Sequence, residues 1–171
     1  GTMPKHRFPM PAPPAQTYVA VVDRPSSVQS LITLATPVQL KPGSSDAIPA
    51  SVMNNILGGG FSGRLFANLR EKYGFTYGAY SSLSPDRLVS QFSAEASVRN
   101  EKTDSSIEQF LHEFKRMRTE TPSEEEVSRM KNYLSGSFAR SLENPGTIAG
   151  FALNIARYGL PQDYYQNYMK N

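Results

Sequence analysis

The chain has 171 residues, 39% of them hydrophobic, enough for one domain with an ordinary core, and it has no apolar stretch long enough to cross a bilayer. A soluble globular piece is expected. Its 18 basic and 15 acidic residues are mixed along the chain, so the net charge of +3 points to neither nucleic acid nor membrane insertion. Zero cysteines exclude disulfides and thiolate metal sites, and leave a bacterial cytoplasm and a periplasm both open.

Gly1, Thr2 and Met3 read as a cleavage scar ahead of a cloned start. Pro4, Pro9, Pro11, Pro13 and Pro14 then favour an extended, solvated arm, because proline fixes φ and lacks the amide donor. Residues 1–16 are therefore expected to be scar and Pro-rich linker, and 17–171 one α+β domain cut short at its C-terminus. Tyr18 to Val22 is β-branched and alternating, a strand candidate, and Leu31 to Thr36 is a second one after the Pro25-Ser26-Ser27 turn. Ile48, Val52, Ile56 and Leu57 fall at helical spacing, and Gly58 to Gly60 stop that helix. Ser62 to Lys72 is a second helix with Leu65, Phe66 and Leu69 inward, and Gly74 suits the left-handed position after it.

Thr76 to Ser84 and Leu88 to Val98 form an antiparallel pair across Pro85-Asp86-Arg87, with Phe92, Ala94, Ala96 and Val98 on one face. Asp104 is expected to cap a helix over Ser105 to Arg118, whose apolar stripe is Ile107, Phe110, Leu111, Phe114 and Met117. Ser123 and Glu126 make a capping box for the next helix, with Glu124 and Glu125 also at the positive end of its dipole. Asn144-Pro145-Gly146 interrupts that helix near its end. Ile148 to Tyr158 is another, closed by Gly159 and Pro161, and one more begins at Gln162. An antiparallel sheet with helices packed on one face is the α+β pattern.

Gly58, Gly60 and Gly63 match G-x-G-x-x-G, but that fingerprint needs a strand feeding the turn, and a helix feeds this one. Arg64-Leu65 stands where a P-loop needs Lys and Ser or Thr. The chain has two histidines, whereas a catalytic zinc site wants three protein ligands and an open position. His6 lies in the leader. His112 has Arg116 where H-E-x-x-H needs its second histidine, and H-x-x-E-H fails at Lys115 and Arg116, so His112 reads as a polar-face residue. No G-x-S-x-G elbow is present for a serine hydrolase. No cofactor is expected in this chain.

Arg70 in the last helical turn and Tyr77 at the start of the strand can meet across the Gly74 reversal. Both are donors at neutral pH, one charged and one neutral, which suits a peptide carbonyl or the oxyanion it becomes. A preorganised donor there lowers a barrier by about 3 kcal/mol. The plainer reading has Arg70 serving the helix dipole and Tyr77 packing.

LGGGFSGRLFANLREKYGFTYGAY, Leu57 to Tyr80, resembles insulinase/pitrilysin-like zinc peptidases in their C-terminal-type half. There, a helix ending in Arg-Glu-Lys leads through a glycine turn to a tyrosine seven residues after the arginine. VVDRPSSVQSLITLATP and ENPGTIAGFALNIARYGLP are similar to flanking parts of that half, so the likeness runs from Tyr18 to the end. The resemblance implies two similar α+β halves closing on a peptide, one with zinc on H-x-x-E-H and the other supplying the Arg/Tyr pair. Carried over, the pair is Arg70 and Tyr77, and Gly58, Gly59 and Gly60 resemble a glycine-rich substrate loop. With the zinc motif absent, the resemblance implies that zinc belongs to a companion half, in the same natural chain or on a separate subunit, and that this chain alone is inactive. The alternative it leaves is a non-catalytic scaffold or assembly domain on the same fold.

Overall fold

The computed structural model describes residues 8–168 and 170, so Gly1, Thr2, Met3, Pro4 and His6 lie outside the described residues. Three antiparallel strands form one sheet in the order β1-β3-β2: β1 (Gln29–Val38), β2 (Thr76–Leu83) and β3 (Ser90–Arg99). β3 is central, and its register pairs Ile32 with Ala96 on one side and Ala79 with Ala96 on the other. Alternation sorts the faces as expected: Ala94, Ala96 and Val98 are buried, and Glu95, Ser97 and Arg99 are exposed. Helices cover the first face and leave the second open. The α+β architecture is therefore as expected, with one cluster of Ile32, Leu57, Leu65, Leu69, Ala79, Ala94, Ala96, Val98 and Phe110 at its centre.

The expected strand at Tyr18 to Val22 does not form. Those residues carry no regular structure, and Tyr18, Val19, Val21 and Val22 are each at least 75% exposed. β-Branching describes what a segment can pair as; among the described residues β1 is laddered to β3 alone, and Tyr18 to Val22 lies beside no strand. β1 is longer than the candidate Leu31 to Thr36, since the ladder with β3 extends through Gln29-Ser30 at one end and Pro37-Val38 at the other.

Helix α1 (Ala47–Gly58) packs on β2. A Cβ at Gly58 would lie 2.7 Å from the Ser81 backbone nitrogen and 2.8 Å from Leu65, so only glycine allows this approach. Asn54 Nδ2 donates to the Ser81 carbonyl at 3.3 Å, and Ser81 Oγ returns a bond to the Asn54 carbonyl at 3.3 Å. The second helix departs from the expected regular one. α2 (Arg64–Phe66) runs on into a π-helical segment, Ala67–Lys72, in which the Tyr73 amide reaches back five residues to the Asn68 carbonyl at 3.1 Å. Gly74 follows with φ 61°, in the left-handed region.

A short 3₁₀ turn, Asn100–Lys102, leads into α3 (Thr103–Thr119), which therefore starts ahead of Asp104. Asp104 is not its cap: Oδ1 accepts from the neighbouring Ser105 amide at 2.7 Å, inside the first turn. Leu111 also leaves the expected stripe. It is 55% exposed, because Phe110 fills the position against the sheet with Ile107, Phe114 and Met117 beside it.

The capping box of α4 (Glu124–Ser141) forms as expected, with Ser123 Oγ accepting from Glu126 N at 3.2 Å and Glu126 Oε2 from Ser123 N at 2.9 Å. Asn144-Pro145-Gly146 does not interrupt α4. It opens α5 (Pro145–Tyr158), where Asn144 Oδ1 accepts from Gly146 N at 2.8 Å and proline occupies the first turn, in which its missing donor costs nothing. Gly159 closes α5 at φ 64°, and a short α6 (Tyr164–Asn167) follows. Phe138, Phe151 and Tyr165 stack with centroids 5.7 and 3.7 Å apart, joining these three helices outside the main core.

Candidate functional site

The π-helical segment and the strand after it bring Arg70 and Tyr77 together. Leu69 is fully buried beneath the segment, so Arg70 is turned outward toward β2. Its guanidinium carbon lies 4.3 Å from the centroid of the Tyr77 ring and 5.1 Å from that of Phe66, and Nη1 donates to the Tyr77 carbonyl. The contact is thus cation–π plus one backbone bond. A β-bulge between Thr76 and Ala79 throws Tyr77 out of the regular ladder, and the side chain is 81% exposed. The expected pair is in contact, with the phenol on an open surface and guanidinium N–H groups in reserve.

Rings that the sequence reading did not assign to the site extend this centre toward the glycine loop. Phe61 meets Phe66 edge-on at 5.2 Å and Tyr80 at 6.3 Å, and Phe66 lies 6.1 Å from Tyr80. The signal available was their place within the run Leu57 to Tyr80. The three loop glycines divide. Gly58 is buried in the α1–β2 contact, Gly59 is exposed, and Gly60 has open space where a side chain would stand. Beside Gly59 and Gly60 opens an apolar groove of about 450 Å³ walled by Phe61, Met130 and Tyr133.

Behind the segment, polar contacts hold its other side. Arg64 and Glu126 form a two-point ion pair, Nε–Oε1 2.7 Å and Nη2–Oε2 2.9 Å, joining α2 to the cap of α4. Those bonds hold the Glu126 carboxyl down at about 2. Asn68 Nδ2 donates to Glu113 Oε1 at 2.5 Å, and the buried Glu113 carboxylate takes Arg116 at 3.0 Å. Glu113 is therefore consumed in packing, and His112 stands exposed beside it. Among the described residues no group of three or more His, Cys, Asp or Glu could hold a metal, so these residues do not fit a zinc site.

The family model described as the peptidase M16 inactive domain matches residues 1–134. An uncharacterized zinc protease of Streptomyces coelicolor is 31% identical over 97 residues, covering 57% of this chain and 21% of the relative. One from Rickettsia felis is 37% identical over 90 residues, covering 52% of this chain and 21% of the relative. The chain thus spans about a fifth of the length of these curated relatives. The crystal structure of a peptidase M16 inactive domain from Pseudomonas fluorescens superposes with a TM-score of 0.77 at 30% identity, covering 84% of this chain and 34% of that one.

Proposed function

The chain belongs to the M16 peptidase family, as its inactive domain, and from that premise we propose that it is the substrate-binding half of an insulinase-like metallopeptidase. It holds an extended peptide and turns the scissile carbonyl toward a water activated on a companion half. The observation that carries this reading is the Arg70 guanidinium stacked on the exposed Tyr77 ring at 4.3 Å. One N–H is spent on the Tyr77 carbonyl, which orients the guanidinium, and its other N–H groups and the phenol O–H are donors for a carbonyl oxygen gaining charge. Gly59 and Gly60 are the loop contacts assigned to the peptide, while Gly58 serves packing.

The zinc of such an enzyme supplies the activated water and is assigned to the companion half, in the same polypeptide or on a separate subunit. This chain alone is expected to be inactive. Addition of the peptide as a strand beside β2 is disfavoured, because the Tyr77 and Ser81 carbonyls already accept from Arg70 and Asn54. The peptide is placed instead on the open face in front of Tyr77.

The second reading is a non-catalytic scaffold or assembly domain. It is favoured by the fact that Arg70 spends both a donor and its charged face on Tyr77 itself. The two separate when this chain is joined with its zinc-bearing companion and peptide hydrolysis is timed. On the catalytic-assistance reading, Arg70→Ala lowers kcat about a hundredfold and Tyr77→Phe about tenfold. Zinc-dependent cleavage indifferent to both changes leaves only the scaffold.

A further inference from the structure

The open face of the sheet has a carboxylate at its middle. Glu95 lies on the central strand, directly opposite Thr33 of β1 and Tyr80 of β2, on the exposed face of the sheet, which among the described residues α2 and the π-helical segment reach at the β2 edge, through Phe66 and Arg70. A groove of about 490 Å³ runs over it, with Tyr77 and Tyr80 along one wall and Leu31 and Gln29 along the other. No ion pair reaches Glu95 among the described residues. Arg99 is the one cation among the groove's own lining residues, at its end beside Gln29, and it pairs with Glu101 at 3.1 Å; on neighbouring elements Arg70 is stacked on Tyr77 and Lys102 sits over Phe75 at 5.7 Å.

Tyr80, in the wall of this groove, is held on two sides. Its phenol lies across Gly78, where an added Cβ would come within 2.6 Å of Oη, and Phe61 and Phe66 support its ring from the other end. Directly opposed residues on one face stand about 5 Å apart at Cβ, and both Tyr80 and Glu95 line the groove, the ring lying along β2 over Gly78 and the carboxylate one strand away. Aromatic rings and an anion lining one slot are the complement of a cationic side chain.

We propose that this groove is a specificity site that takes the arginine or lysine side chain of a bound extended peptide, with Glu95 as the charge partner and Tyr80 as the ring beneath it. The inference rests on the peptide-binding reading above. That reading places the backbone before Tyr77, and the groove begins at Tyr77, so a side chain projecting along the face reaches Glu95 without leaving the sheet.

Amide chemical shifts of this chain test it, using two blocked heptapeptides of Ala and Ser that carry either arginine or its uncharged isostere citrulline at the centre. The arginine peptide is expected to shift the amides around Tyr80, Glu95 and Ser97 and to bind about three to tenfold tighter than the citrulline peptide at low salt. In Glu95→Gln the two peptides bind alike, and Glu95→Lys prefers a glutamate-centred peptide; the same spectra report that both variants are folded. Equal binding of both peptides, absence of shifts with either, or an arginine preference that survives Glu95→Gln overturns the proposal. Peptide-free shifts at Glu95 that grow with protein concentration do so too, and assign the face to a second copy of the chain. Hydrolysis by the assembled enzyme keeps the two readings apart. Loss of cleavage in Arg70→Ala without an arginine preference sinks only the groove. An arginine preference with cleavage indifferent to Arg70 sinks only the catalytic assistance.

Discussion

Glu126 does two jobs with one carboxylate, accepting the Ser123 amide as the reciprocal arm of a cap and the Arg64 guanidinium as an ion pair. The capping box is legible in the sequence because its partners are three residues apart, whereas Arg64 lies 62 residues away and nothing local announces it. The pairing sets a sign for acid stability. The folded carboxyl sits at about 2 against an ordinary 4.5, so its contribution is complete above about pH 4.5 and is lost as pH falls through 2. Glu126→Gln is expected to cost on the order of 2 kcal/mol at neutral pH, since it strands a buried guanidinium. The gap between the two proteins in urea midpoint should close as the pH is lowered from about 4.5 through 2. A gap that stays constant through that range would mean that the pair contributes nothing through its charge. Arg70 and Tyr77 do touch across the Gly74 reversal, as their seven-residue spacing allows. Their mode of contact was not legible, because a bulge in β2 and a π turn both enter the geometry.

At the level of elements, the glycine loop shows how one motif serves two ends. Gly58 is demanded by the approach of α1 to β2, whereas Gly60 meets nothing. Gly58→Ala should overpack the contact by about 2 kcal/mol and lower Tm by about 4–8 °C, because the opposing atom is backbone and cannot rotate away. Gly60→Ala should leave Tm unchanged within about 1 °C. Equal losses in both would sink the packing account. The helix boundaries that sequence misplaced have local causes as well. A 3₁₀ turn ahead of α3 moved Asp104 inside the helix, and Asn144 proved to be a cap followed by proline, a start signal whose three residues also read as an interruption.

For the whole molecule, the sheet has one covered and one open face, and its first β-prone segment is unpaired. Hydrogen exchange should reflect that division. Amides of residues 17–24 should exchange within seconds, and those of β3, bonded on both sides, should exchange only by global opening. Protection at Tyr18 to Val22 in the isolated chain would reveal a pairing partner and restore that segment as a strand. By itself the sequence determined the family, the α+β class, the covered face of β3 and the absence of an H-x-x-E-H zinc motif, all properties carried by period, composition and short motifs. Only the tertiary structure decided that Tyr18 to Val22 stays unpaired, that Glu113 is spent on Asn68 and Arg116, and that Glu95 faces an open groove. Pairing, burial and charge neutralisation are settled between residues far apart in the chain, and a local pattern holds no record of which distant partner arrives.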